Sequence, residues 1–142
     1  MLHSHNLTVL IVDDDDVRAT HVAHLVRVLG SVPLIASTLD VGARLLLDAD
    51  VLIADDDAFL GQGASICQAA RGLPQVYRCV TASWGRFADV RGLADYVIAK
   101  PFTAVALGDV LGAASDKRRK RSSASNAALA QFKSTSITSR AL

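Results

Sequence analysis

The sequence predicts an α/β fold: a five-stranded parallel sheet, doubly wound, with helices on both faces. Three observations carry this. Short apolar runs recur along the chain, at Leu7–Val12, Val51–Ala54 and Tyr96–Ala99. Each is followed at once by charge: Asp13 and Asp14, then Asp55, then Lys100. Helical patterns fill the intervals between the runs. Short apolar runs capped by charge are the pattern of buried parallel strands. Their alternation with helices argues a doubly wound sheet.

The elements follow in order. Leu7–Val12 is the first strand. Asp15 or Asp16 can cap a helix whose packing face is Val17, Val22, Leu25, Val26 and Leu29, with Gly30 as its stop. Val32–Ser37 is a second, weaker strand, and Pro33 assigns its start to an edge or a strand end. A short helix over Asp40–Asp48 leads to the third strand, Val51–Ala54. Gly61-Gln62-Gly63 is a turn, and Ala64–Arg71 is a helix stopped by Gly72 and Pro74. Val76–Val80 is the fourth strand. Residues 83–94 are poorly marked, because Gly85 and Gly92 limit any helix there. Tyr96–Ala99 is the fifth strand. Thr103 caps a last helix, through about Ala114, that packs through Val105, Leu107, Val110 and Leu111.

At 142 residues the chain suffices for one domain with a substantial core. The net charge of +1 hides a division. Residues 1–114 hold eight Lys/Arg against thirteen Asp, and residues 115–142 hold seven Lys/Arg against one Asp. The domain division therefore falls at 114/115: an acidic body, then a basic Ser/Ala-rich tail expected to be disordered. Within the tail, Lys117–Arg121 is read as a solvated charge run, and nucleic-acid contact is not expected except through it. No apolar stretch has the length of a membrane span, and the N-terminus lacks the pattern of a signal peptide. A cytoplasmic protein without membrane contact is the resulting expectation. Cys67 and Cys79 lack metal-site spacing and are read as reduced, packed thiols. Every acidic residue is Asp; nothing physical explains that bias.

The strand ends carry the chemistry. In open parallel sheets, sites form outside the carboxyl ends of the strands. Asp13, Asp14 and Asp55 there would repel one another, and a hard cation such as Mg²⁺ resolves the repulsion. Lys100 adds a fixed positive charge, and Thr81, at the end of the fourth strand, adds a hydroxyl. That set suits phosphoryl transfer, where positioning and charge neutralisation do most of the catalysis. Asp55 would attack phosphorus and become an acyl phosphate.

Val12-Asp13-Asp14, Asp55 after an apolar strand, Thr81-Ala82 and Lys100-Pro101-Phe102 together resemble the receiver domain of two-component response regulators. The resemblance covers residues 6–113 and includes Gly63, eight residues after Asp55. It implies the flavodoxin-like (βα)5 receiver fold, with Asp55 as phosphoacceptor. It implies that Asp14 ligates Mg²⁺ directly, Asp13 through water or a second coordination position, and Asp57 through its backbone carbonyl. It also implies that Thr81 and Lys100 hold the phosphoryl group and that the Lys100–Pro101 bond is cis. The implied donor is a sensor histidine kinase or a His phosphotransfer protein, and the implied output is contact with a downstream protein. With no output domain after residue 142, a stand-alone receiver is the expectation.

Four departures from the family pattern stand out. Ala58-Phe59 replaces the Met-Pro often found after the acceptor. Asp56 and Asp57 add negative charge beside it. The segment from Thr81 to Lys100 is short, which predicts a stunted fourth helix. Val97, not Tyr96, occupies the place of the switch aromatic, three residues before Lys100. His21 and His24 on the first helix are read as exposed or partner-facing, and Trp84 as a surface aromatic. Two other functions compete. One is a receiver-like binding module that does not switch. The other is a haloacid-dehalogenase-type phosphatase, suggested by Asp55-Asp56-Asp57 but opposed by the order of its remaining motifs and the lack of a cap domain.

Overall fold

The computed structural model describes residues 5–141, and for residues 132–141 the backbone alone. Five strands, β1 (Thr8–Val12), β2 (Val32–Ala36), β3 (Val51–Asp55), β4 (Tyr77–Ala82) and β5 (Tyr96–Ala99), form one sheet. Every pairing is parallel, in the order β2-β1-β3-β4-β5. The helices are α1 (Asp16–Val28), α2 (Leu39–Leu45), α3 (Ile66–Ala70), α4 (Phe87–Val90) and α5 (Ala104–Ala141). Single 3₁₀ turns extend α2 and precede α3 and α4. The predicted fold class is therefore the observed one. Among the described residues, no helix is long and apolar enough to cross a membrane.

Strand alternation divides the core between the two faces of the sheet. Val9, Ile11, Val51, Ile53, Cys79 and Ile98 pack with α1 and α5. Leu10, Val12, Leu52, Ala54, Val80 and Ala82 pack on the opposite face, where α2, α3 and α4 lie. β2 is an edge strand, as Pro33 suggested, with Val32 and Ile35 exposed. Asp15 caps α1 by accepting the Arg18 N–H, and Thr38 caps α2 in the same way through Val41. Gly30, at φ 85°, supplies the left-handed residue that lets the chain leave α1 for β2.

The packing faces differ from the predicted ones at two positions. Val17 is 80% exposed and Val105 is 74% exposed, whereas Ala19, Ala23 and Ala114 are buried. Both valines lie in the first turn of their helix, beyond the carboxyl edge of the sheet, where no strand is left to cover them. α4 is a single turn, so the fourth helix is stunted as the sequence suggested.

The last helix is also longer than the sequence suggested. It runs past the expected end near Ala114, to Ala141. After Gly112 the chain has neither Gly nor Pro to stop it, and it is rich in Ala, Arg and Lys, which favour helix. Among the described residues, Ala114 is its last in the core, and residues 122–131 are all exposed. Part of the basic run is used structurally. Lys117 lies 3.8 Å from the Asp95 carboxylate and 5.7 Å from the centre of the Tyr77 ring. Arg118 lies 3.5 Å from Asp50. These contacts fasten α5 to the amino-terminal edge of the sheet, opposite the candidate site.

Candidate functional site at the carboxyl edge of the sheet

One face and one edge assemble the site. Asp13, Asp55, Thr81 and Lys100 each follow a residue of the α1/α5 core by two positions: Ile11, Ile53, Cys79 and Ile98. The two-residue strand period turns all four side chains to that same side, just beyond its apolar layer. Asp55 is paired in register with Thr81. Lys100 lies further along its strand, and its long side chain reaches back toward both.

Asp55 is buried, and its carboxylate is fully engaged. Thr81 Oγ1 donates to Oδ2 at 2.9 Å. Lys100 Nζ donates to Oδ2 at 3.0 Å and to Oδ1 at 3.2 Å. The Asp57 backbone N–H donates to Oδ1 at 2.9 Å. The Lys100–Pro101 bond is cis. Lys100 Nζ also donates to Asp57 Oδ2 at 2.7 Å. That bond and the Lys100 charge hold the Asp57 carboxyl below the usual carboxylate range. For Lys100, burial pulls the ammonium pKa down, but the bonds to Asp57 and Asp55 outweigh it and the net shift is upward.

Gly63 fixes the loop that returns from β3. A Cβ there would lie 1.7 Å from the Asp55 carbonyl oxygen. The loop can pass over Asp55 only because the residue is glycine. The Ala58–Gly61 turn contains two left-handed residues, Phe59 and Leu60, both at φ 56°. This is where the sequence departed from Met-Pro. Asp14 Oδ2 accepts the Phe59 N–H at 2.9 Å and so ties this turn to the end of β1.

Sequence reasoning missed Arg18. Its guanidinium grips Asp13, with Nε 3.0 Å from Oδ2 and Nη2 2.8 Å from Oδ1. The same Nη2 lies 3.8 Å from Asp14 Oδ1 and 3.9 Å from Asp55 Oδ1. The hydrogen bonds to Asp13 drive the already high pKa of Arg18 further up. One signal was available: Arg18 stands four residues after Asp14, the spacing of an ion pair on a helix. Asp56 also gains a partner. It is buried, and Arg86 Nε donates to its Oδ2 at 2.7 Å, so its added charge is already compensated.

The structure thus brings together Asp13, Asp14, Asp55, Asp57, Thr81 and Lys100, and adds Arg18. In kind, the carboxylate oxygens suit a hard divalent cation. In arrangement, Asp13 is taken by Arg18 and Asp14 is drawn to Phe59. Among the described residues, no three His, Cys or Asp side chains stand ready to hold a metal ion. A cavity of about 80 Å³ opens beside the site, lined by Asp13, Arg18, His21, Asp55, Thr81 and Lys100 among others. His21 therefore reaches the rim of the site, while His24 is exposed on α1. Trp84 is exposed and stacked on Phe87, with ring centres 5.4 Å apart. Val97 packs with the core beneath α4, whereas Tyr96 shares the α1/α5 face with Ile98.

No family model matches the sequence, and no curated protein matches it. Solved structures do. A response regulator receiver domain protein from Clostridium thermocellum is 20% identical with a TM-score of 0.71, and the match covers 80% of this chain and 97% of that one. A CheY-like receiver domain protein from Methanospirillum hungatei is 20% identical with a TM-score of 0.69, covering 81% and 98%. A DrrB receiver domain in its BeF3-activated form is 19% identical with a TM-score of 0.63, covering 78% and 97%. Sheet order, strand-end residues and these likenesses agree: the chain has the fold of a response-regulator receiver domain.

Proposed function

We propose that this receiver accepts a phosphoryl group from a phospho-His of a sensor histidine kinase or His phosphotransfer protein onto Asp55, and signals by contact with another protein. The observation that carries this reading is the environment of Asp55. Its buried carboxylate has a donor from the adjacent β4 end, Thr81, one from the end of β5 beyond it, Lys100, and a main-chain donor from its own loop. In the transfer, an Asp55 oxygen forms the new bond to phosphorus as the phosphorus–nitrogen bond of the donor His breaks. The freed imidazole nitrogen keeps its electron pair. Lys100 and Thr81 are the groups placed to take the oxygens of the transferred phosphoryl. Mg²⁺ would be held by Asp13, Asp14, Asp55 and the backbone carbonyl of Asp57, and would supply the remaining charge neutralisation.

Exposed apolar side chains around the same edge support signalling by protein contact. Val17 and Val105 lie on the first turns of α1 and α5, Leu60 in the loop after β3, and Trp84 after β4. Such residues around a site suit a partner surface.

The experiment is labelling with acetyl phosphate, or beryllofluoride with Mg²⁺, on the wild type and Asp55→Ala. One stoichiometric label that vanishes in Asp55→Ala is the expected result, with no sustained turnover of a simple phosphate ester. An unlabelled wild type, or a label that survives Asp55→Ala, overturns the proposal.

A second reading, a receiver-like module that binds without switching, is favoured by one observation. Val97, an aliphatic residue, fills the place three before Lys100, and Tyr96 lies on the other face. Under that reading Asp55 is labelled but partner affinity does not change.

A further inference from the structure

We infer that Arg18 is a resident counter-ion of the acidic pocket, which a divalent cation must displace, so that this side chain sets the pocket's cation affinity. The inference rests on the reading that the pocket takes such a cation.

Geometry carries it. A single nitrogen, Arg18 Nη2, is within 2.8 Å of Asp13, 3.8 Å of Asp14 and 3.9 Å of Asp55. These are the three carboxylates that a bound cation would share. Both oxygens of Asp13 are already committed to the guanidinium, and Oδ1 also accepts the Asp15 N–H at 2.9 Å. A hard ion such as Mg²⁺ binds carboxylate oxygen at about 2.0–2.1 Å in near-octahedral order. Held by Asp13 directly or through a bound water, it would need Asp13 oxygens that the guanidinium now holds. Two cations within a few ångströms in a partly buried pocket also repel strongly. The guanidinium cannot relieve that repulsion by losing its proton. Displacement is the way out.

The fold leaves room for displacement. Arg18 is on the first full turn of α1, and its side chain is about two-fifths exposed. Nη1 already lies 3.9 Å from Asp15 Oδ2, on the solvent side. Asp15 is thus a second acceptor for a guanidinium that has left Asp13. The arrangement also accounts for the lack of a ready metal cage among the described residues in spite of the crowded aspartates. Their repulsion is already met from within the chain by Arg18 and Lys100.

The test is a calorimetric titration of the full chain with Mg²⁺ alone, without any phosphoryl donor. Wild type, Arg18→Met, Arg18→Lys and the double variant Arg18→Met/Asp13→Asn are compared. Arg18→Met keeps the apolar stem and removes the charge, and its folding is checked by circular dichroism. The expected result is a Kd for Mg²⁺ at least ten-fold lower in Arg18→Met, with Arg18→Lys between it and the wild type. Adding Asp13→Asn should abolish the gain. Unchanged or weaker Mg²⁺ binding in Arg18→Met overturns the inference, and so does a gain that persists without Asp13. Should Arg18→Met fail to fold, Arg18→Lys decides: tighter binding than wild type supports the competition, and equal or weaker binding overturns it. This outcome is separable from that of the phosphoacceptor proposal. A chain that gains Mg²⁺ affinity but never labels Asp55 keeps the inference and loses the proposal, and the reverse result does the opposite.

Discussion

The Lys100 ammonium bridges Asp55 and Asp57, donating to Asp55 Oδ2 at 3.0 Å and to Asp57 Oδ2 at 2.7 Å. One cation at the end of β5 thereby holds Asp55 and the loop after it in a single arrangement. It compensates charge that β3 alone would leave unbalanced.

That bridge has a pH signature. The Asp57 pKa is depressed in the folded state, first by the hydrogen bond from Lys100 and then by its charge. Stability from this source is present above the ordinary Asp value of about 3.9 and is lost as pH falls through the lower folded value. The melting-temperature advantage of wild type over Asp57→Asn should therefore shrink as pH drops from about 5 to 3. Asp57 is half exposed, so the change should correspond to about 1 kcal/mol or less. Thermal melts of both proteins across that range measure it, and an advantage that grows on acidification contradicts the assignment.

Two glycines in one loop should behave differently. Gly63→Ala puts a methyl carbon 1.7 Å from the Asp55 carbonyl oxygen, so the backbone must move. A loss of about 3 kcal/mol is expected, at the upper end for overpacking. Gly61 has φ 84° and open space around its Cβ position. Gly61→Ala should cost only the left-handed strain, about 1–2 kcal/mol. Urea unfolding of the two variants gives the comparison, and equal losses would refute the backbone-clash argument.

Both cysteines should be chemically silent in the native protein. Each is buried and free. Burial lifts the Cys67 thiol to about 11 and the Cys79 thiol higher still. A thiol-specific reagent at pH 8 should label neither until denaturant is added, and then both. Rapid native labelling of either residue would show that the packing around it opens.

Two residues of the one predicted packing face of α5 should respond differently to truncation. Leu107 is fully buried, so Leu107→Ala should cost about 2–5 kcal/mol. Val105→Ala should stay within about 0.5 kcal/mol, as expected for an exposed site. Chemical denaturation distinguishes them, and a large loss at Val105 would mean that its first-turn exposure is wrong.

Much of this was legible in the sequence because it is local. Val51–Ala54 followed by Asp55, and Tyr96–Ala99 followed by Lys100, state both the strand and the edge at which its polar residue emerges. A two-residue period then fixes which face each side chain takes. Gly63 was legible as a turn residue, but its reason was not, since the atom it must avoid is the carbonyl of Asp55. The helix faces were less secure at Val17 and Val105, because periodicity does not show where a helix outruns the sheet that covers it.

Arg18 marks the limit. In the sequence it is one charge on the exposed side of an amphipathic helix, four residues from Asp14. Only the pairing of β1 beside β3 brings both Asp13 and Asp55 within reach of its guanidinium. Lys117 and Arg118 are similar: as a run they suggest a solvated tail, and in the fold they meet Asp95 and Asp50 at the far edge of the sheet. The sequence by itself determined the alternating elements, the strand-end residues and the face they share, since those follow from local period and composition. The tertiary structure decided which charges neutralise which, because Coulomb interaction depends on distance through space, and strand order sets that distance.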